Sequence, residues 1–191
     1  RGRGCGVRCA AMAKKASAEV RIVRALRLRA QGLVPGVRPW AGPAEVARGM
    51  LAMQAQDARG VLWALAVRSA GSPDEATVLD ALADGTVVRN RPSRGTLQVT
   101  APEDLHWLSA TMTPRSLAAA VKRRDQIGVT DEMIDGVGDV LRDLLSDGTP
   151  RTRPQIVEAC ARAGIDLDGT QAGHVLRHHT EVMTIVFGPP A

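Results

Sequence analysis

Gly85 to Thr100 reads "GTVVRNRPSRGTLQVT", and here the hydrophobic period changes from that of a helix to two. Thr86–Arg89 and Gly95–Thr100 alternate, and "NRPSRG" between them supplies turn residues, so the stretch is predicted as a β-hairpin with Arg89, Arg91 and Arg94 near its tip. Helices followed by such a hairpin are the pattern of a winged helix-turn-helix module; the plain alternative is a surface hairpin.

Upstream, Val20, Val23 and Leu26, with Ile22 beside them, recur at helical spacing between Arg21, Arg24, Arg27 and Arg29, which predicts an amphipathic helix over Glu19–Gln31. Gly32 and the Pro35, Gly36, Pro39 cluster end it. Pro43 suits the first turn of a second helix, with Glu45 behind it and Val46, Met50 and Met53 on one face. That helix is expected to run into Gln54 and Gln56. Val61–Val67 and Pro73–Ala83 read as the third and fourth helices.

Downstream the order repeats. Thr113 before Pro114, Thr130, the Thr152/Gln155 pair and the Asp168/Gln171 pair are helix-start signals. The helix after Thr130 has Val137, Val140, Leu141 and Leu144 as its buried stripe, and the next buries Ile156, Val157 and Cys160. The last helix has Ala172, Val175 and Leu176 inward and Gln171, His174, Arg177 and His178 outward, which suits a recognition helix in a major groove. Arginine and histidine can contact phosphates and glutamine can read adenine; a merely solvated face is the alternative. His174 and His178 have metal-ligand spacing, but no third ligand accompanies them, so no metal is expected. "VMTIVFG" reads as one strand of a second, incomplete wing, and its unpaired edge suggests the N-terminal part of a longer protein.

The 191 residues are 45% hydrophobic, enough for one ordinary core or two small ones, and the longest apolar run is far shorter than the roughly 20 residues of a membrane span. No secretory signal is legible, so the expected location is cytoplasmic. Cys5, Cys9 and Cys160 cannot form a disulfide framework, and Cys160 reads as core. The chain begins at Arg1, which leaves Met12 as a candidate start. Residues 1–29 carry a net +8 and the remainder −3, a basic arm on a mildly acidic body. This distribution fits nucleic acid, although an Arg-rich, Lys-poor composition also follows from GC-rich coding.

"RALRLRAQGL", "MQAQDARGVLWALAVR", "VVRNRPSRGTLQVTAPEDLHWL" and the later helix pair together resemble a bacterial family of winged-helix DNA-binding proteins. That family includes the AlkZ-like and YcaQ-like DNA glycosylases, which excise alkylated bases and unhook interstrand crosslinks. The resemblance begins at Val20 and runs to the end. It implies a mainly α fold with short β-hairpin wings, in tandem winged helix-turn-helix modules. Residues 1–18 are then a disordered lead, 19–100 the first module and 101–191 the second. Relatives are about twice as long, with a third module and a β-barrel.

The resemblance makes Gln54 and Gln56 the catalytic pair, matching a signature of glutamine, an apolar residue, then glutamine or aspartate. Gln98 departs from the family, where a histidine is expected. An N7-alkylated purine is already a good leaving group, so the enzyme needs chiefly to stabilise positive charge on the sugar and to place a water. At a fraying helix end both glutamines can turn to one side, and Asp57 is an alternative water-activating group. Glutamine forms no Schiff base, and no lysine lies between Lys15 and Lys122, so a monofunctional hydrolase is expected. The expected partner is double-stranded DNA, with no cofactor and no obligate protein partner. Contacts are assigned to Arg24, Arg27, Arg89, Arg91, Arg94, Gln171, His174, Arg177 and His178. The alternative function is a non-catalytic winged-helix regulator. Four aromatic residues, Trp40, Trp63, Trp107 and Phe187, argue against deep base flipping.

Overall fold

The computed structural model describes residues 17–34, 37 and 40–189. The lead through residue 16, with Cys5, Cys9 and Met12, the Pro35, Gly36 and Pro39 cluster, and Pro190 and Ala191 lie outside the described residues.

Helix α1 (Ala18–Ala30) forms as its period predicts, with the Ser17 hydroxyl accepting from the Val20 amide at 3.3 Å. Among the described residues its apolar side meets no core: Val23 and Leu26 are 47% and 60% exposed. Helix α2 (Pro43–Met50) starts at Pro43 as expected and buries Val46 and Ala47. It does not reach the glutamines. Leu51 adopts φ +63°, rare for a side-chain-bearing residue, and turns the chain out of the helix. The following residues form strand β1 (Met53–Gln54), which removes Met53 from the α2 face.

Asp57 caps α3 (Ala58–Ala66), accepting from the Gly60 amide at 3.1 Å, and Asp74 caps α4 (Glu75–Ala83). The hairpin follows as β2 (Val88–Ser93) and β3 (Thr96–Thr100). Only Arg94 and Gly95 form the turn, at φ +50° and +69°, the two left-handed residues of a type I′ connection. Asn90 to Ser93, read from the sequence as turn, are therefore strand, and the register shifts between Asn90 and Ser93, around Pro92. The sheet order is β1-β3-β2, all antiparallel, with α3 and α4 between β1 and the hairpin in sequence. Val46, Leu62, Leu65, Val78, Val87 and Val99 lie in the core of this first unit.

Helix α5 (Pro102–Met112), which the sequence reading omits, packs on β2. Helix α6 (Pro114–Ile127) begins at Pro114 as expected, but the Thr113 hydroxyl does not cap it; it donates back to the Ser109 carbonyl at 2.7 Å. Helix α7 (Asp131–Leu144) is capped by Thr130 and turns Ile134, Val137 and Leu141 inward. Helix α8 (Arg153–Arg162) buries Ile156 and Cys160 behind the Thr152/Gln155 start signal. Asp168 and Gln171 form the reciprocal cap of α9 (Gly169–Glu181), with Gln171 Oε1 accepting from the Asp168 amide at 3.1 Å. These three helices enclose the second core around Val137, Leu141, Cys160 and Val175.

The final segment corrects the sequence reading. Val182–Gly188 is not a strand of a second wing: Met183 takes φ +63°, and the segment makes a single antiparallel bridge, between Phe187 and Arg89. The Phe187 amide donates to the Arg89 carbonyl at 2.9 Å. The apolar residues thus meet the outer edge of β2 instead of presenting an open edge of their own. The protein is mainly α, with one small three-stranded sheet and winged-helix units in tandem, and the second unit lacks a hairpin among the described residues.

Candidate functional site

In an extended strand, side chains two residues apart share a face. Met53 and Ala55 point into the core at 8% and 0% exposure, while Gln54 and Gln56 are exposed between and beyond them. The Ala55 amide donates to the Leu97 carbonyl at 2.8 Å and continues the β1-β3 pairing past Gln54. Burial alternates from Met53 to Gln56, so a short strand and the bend after it, and not a fraying helix end, leave both glutamines exposed. Asp57, the alternative water-activating group, is held as the α3 cap.

Strand pairing adds neighbours that periodicity does not show. Gln54 is paired with Gln98, and Gln98 with Asn90, so three amides occupy one rung of the sheet. Asn90 is fully buried, and its Oδ1 accepts from the Arg91 amide at 2.8 Å. Among the described residues, its Nδ2, Gln98 Oε1 and Thr100 Oγ1 are enclosed without a hydrogen-bond partner.

A cavity of about 880 Å³ opens between the hairpin tip, α6 and α9, lined by Arg94, Arg115, Arg123, His174 and Arg177 with no carboxylate among its lining residues. Neither glutamine lines it. Of the residues expected to contact DNA, the fold brings Arg94, His174 and Arg177 together here. Arg115 and Arg123 were missed, although with Ala119 they form an i, i+4, i+8 stripe on α6 that was legible in the sequence.

The other expected contacts lie outside this groove. Arg24 and Arg27 are exposed on α1. Arg89 is not at the hairpin tip; it is 9% exposed and donates through Nη1 to the Gly188 carbonyl at 3.2 Å. Arg91 donates to the Gly95 carbonyl and lies 5.5 Å from the Phe187 ring centroid. Gln171, besides capping α9, donates through Nε2 to the Ile127 carbonyl at 3.0 Å. The outer face of α9 is not simply solvated, because α6 packs against it. The hairpin tip meets it too: a Cβ on Gly95 would collide with the Arg177 guanidinium.

Charge at this joint is arranged around a buried carboxylate. Arg177 Nε pairs with Glu181 Oε1 at 2.8 Å, and Glu181 is 1% exposed. Arg124 bridges Asp131 at 2.7 Å and donates through Nη2 to His178 Nδ1 at 3.2 Å. Burial first, then the charges of His179 and Arg124, push the His178 pKa down to about 4. Burial, with Arg124 and Arg177 nearby, also lowers that of His174, whose Nε2 is enclosed without a partner. Both rings are neutral near pH 7, so His178 is a hydrogen-bond acceptor for Arg124 and not a phosphate-binding cation.

A pH dependence follows. Between about pH 6.5 and about pH 4 the unfolded chain takes up a proton on His178 and the folded chain does not, so stability falls as pH falls through that window. Substituting His178→Gln is expected to flatten the Tm-against-pH curve there. An unchanged slope in the variant would contradict the burial of a neutral His178.

A family model described as DNA glycosylase AlkZ-like matches residues 47–191. Comparison with curated proteins gives no match. Among solved structures, Streptomyces sahachiroi DNA glycosylase AlkZ superposes with a TM-score of 0.66 at 24% sequence identity, over 92% of this chain and 47% of that one. The chain thus spans about half the length of the structure it resembles. With residues 47–191 containing both glutamines, the whole hairpin and the basic groove, this chain belongs to the AlkZ-like DNA glycosylase family.

Proposed function

We propose that this chain is the DNA-binding and catalytic part of a monofunctional DNA glycosylase that hydrolyses the N-glycosidic bond of alkylated or crosslinked purines. The observation carrying this reading is that Gln54, at the end of β1, and Gln56, in the bend after it, are both exposed beside the hairpin whose tip enters the basic groove. Arg94 lies four residues from Gln98 along the hairpin, roughly 13 Å at the rise of a strand, so one duplex can meet both.

The C1′–N9 bond breaks with its electron pair passing to the cationic N7-alkylated purine, which leaves neutral. Gln54 Oε1 faces the positive charge developing on the sugar. Gln56 orients a water whose oxygen bonds to C1′ and whose proton passes to solvent. Neither side chain takes up a proton or forms a covalent intermediate. Arg94, Arg115, Arg123 and Arg177 hold backbone phosphates, which orient the duplex without reading its sequence.

Incubation with duplexes carrying N7-methylguanine or a nitrogen-mustard crosslink tests the reading. Free base, an abasic site and no borohydride-trapped adduct are expected. Intact DNA with retained binding would instead establish the non-catalytic binder. The double variant Arg115→Glu, Arg123→Glu is expected to weaken duplex binding at least about tenfold and to reduce the salt slope by about 2. An unchanged slope, measured by fluorescence anisotropy across salt concentrations, would remove the groove from the DNA interface.

A further inference from the structure

We propose that Gln98, paired across the sheet with Asn90, is a positioning residue that sets which end of the Gln54 amide faces the substrate. This rests on the proposed function of Gln54. An amide side chain offers an oxygen at one end and an NH2 group at the other, and only the oxygen stabilises a developing cation. Gln54 is exposed and nothing in its own strand selects between the two orientations.

The rung across the sheet makes that selection. Asn90 has no freedom to flip, because its Oδ1 is occupied by the Arg91 amide within a fully buried site, which leaves Nδ2 as its unpaired group. Gln98, its cross-strand partner, has Oε1 enclosed and unpaired. A carbonyl oxygen carries two lone pairs, so Gln98 Oε1 can accept from Asn90 Nδ2 and from Gln54 Nε2 together. Directly opposed residues have Cβ atoms about 4.5–5.5 Å apart, within reach of a glutamine. When Gln54 swings in to satisfy this oxygen with its NH2 group, its own Oε1 turns outward to the sugar. Gln98 Oε1 is thus the open acceptor that the Gln54 NH2 group meets once the Gln54 side chain is ordered by DNA.

The test compares Gln98→Leu, which removes the acceptor, with Gln98→Glu, which keeps acceptor oxygens while replacing the amide donor and adding a negative charge. Using an N7-methylguanine duplex, single-turnover base release by Gln98→Leu is expected to fall about 10- to 100-fold while duplex Kd changes less than about twofold. Gln98→Glu is expected to recover the rate to within about threefold of the unsubstituted protein. Equal rates for Gln98→Leu and the unsubstituted protein, or equal impairment by both substitutions, would overturn the proposal. A second reading needs no turnover: the side-chain amide resonances of Gln54, identified by their loss in Gln54→Ala, are followed with an undamaged duplex. They are expected to shift in Gln98→Leu and to stay near their original position in Gln98→Glu; resonances indifferent to both substitutions overturn the proposal. Should the unsubstituted protein release no base, the glycosylase reading fails and these resonances alone decide the role of Gln98.

Discussion

Replacing Gln54 by alanine is expected to lower the single-turnover rate of N7-methylguanine release by about 10²–10³-fold, the loss seen when one preorganised dipole at a developing charge is removed. Gln56→Ala is expected to lose at least about 10²-fold by releasing the attacking water. Both side chains are exposed and outside the core, so the stability change in each variant should stay within about 0.5 kcal/mol. Duplex affinity should change little, because the proposed phosphate contacts lie in the arginine-lined groove and neither glutamine lines it. Base release, circular dichroism and anisotropy on one set of variants separate these effects. Release that survives both substitutions would remove the chemistry from Gln54 and Gln56. A rate loss matched by an equal loss of affinity would make the glutamines binding groups only.

Leu65→Ala and Leu141→Ala are expected to produce the largest stability losses, about 3 kcal/mol each, because both side chains are fully buried and a cavity remains where each is truncated. In a chain of this size that lowers Tm by about 6–12 °C. The two residues probe different cores, Leu65 the first and Leu141 the second, and we propose that these belong to modules over residues 19–100 and 101–191. The modules are joined where Phe187 bridges Arg89, where Arg177 lies over Gly95, and where α9 meets β2. Those joins predict a single cooperative transition, with each substitution shifting Trp40 fluorescence and far-ultraviolet dichroism alike; Trp40 packs against the first core. A Leu141→Ala variant that splits the dichroism transition and leaves the fluorescence transition in place would show the modules to be energetically independent.

Local chemistry was legible without coordinates. Helix starts at Pro43, Pro114, Thr130, Thr152 and Asp168 follow from proline geometry and capping hydrogen bonds within three residues, and the structure repeats them apart from the reversed hydroxyl of Thr113. The hairpin followed from alternation, and the prominence of Gln54 and Gln56 from two polar residues in an apolar stretch, joined to a family resemblance. The exposed apolar side of α1 and the bridge made by Phe187 were beyond such reasoning, since whether a face or an edge is covered depends on distant chain.

The sequence alone determined the mainly helical class and the hairpin, because each depends on neighbours one to four residues apart, and it singled out the glutamine pair through two polar residues in an apolar stretch and a family resemblance. Only the tertiary structure decided how the pair is presented. A two-residue strand carries too little periodicity to be read, and it exists because Leu51 turns the chain and β3 supplies hydrogen-bond partners more than forty residues away. That pairing, not a helix end, presents Gln54 and sets Gln98 and Asn90 in one rung with it. The packing of α6 on α9 likewise turned a face read as DNA-contacting into one partly engaged with protein, leaving Arg94, Arg115, Arg123, His174 and Arg177 around the groove.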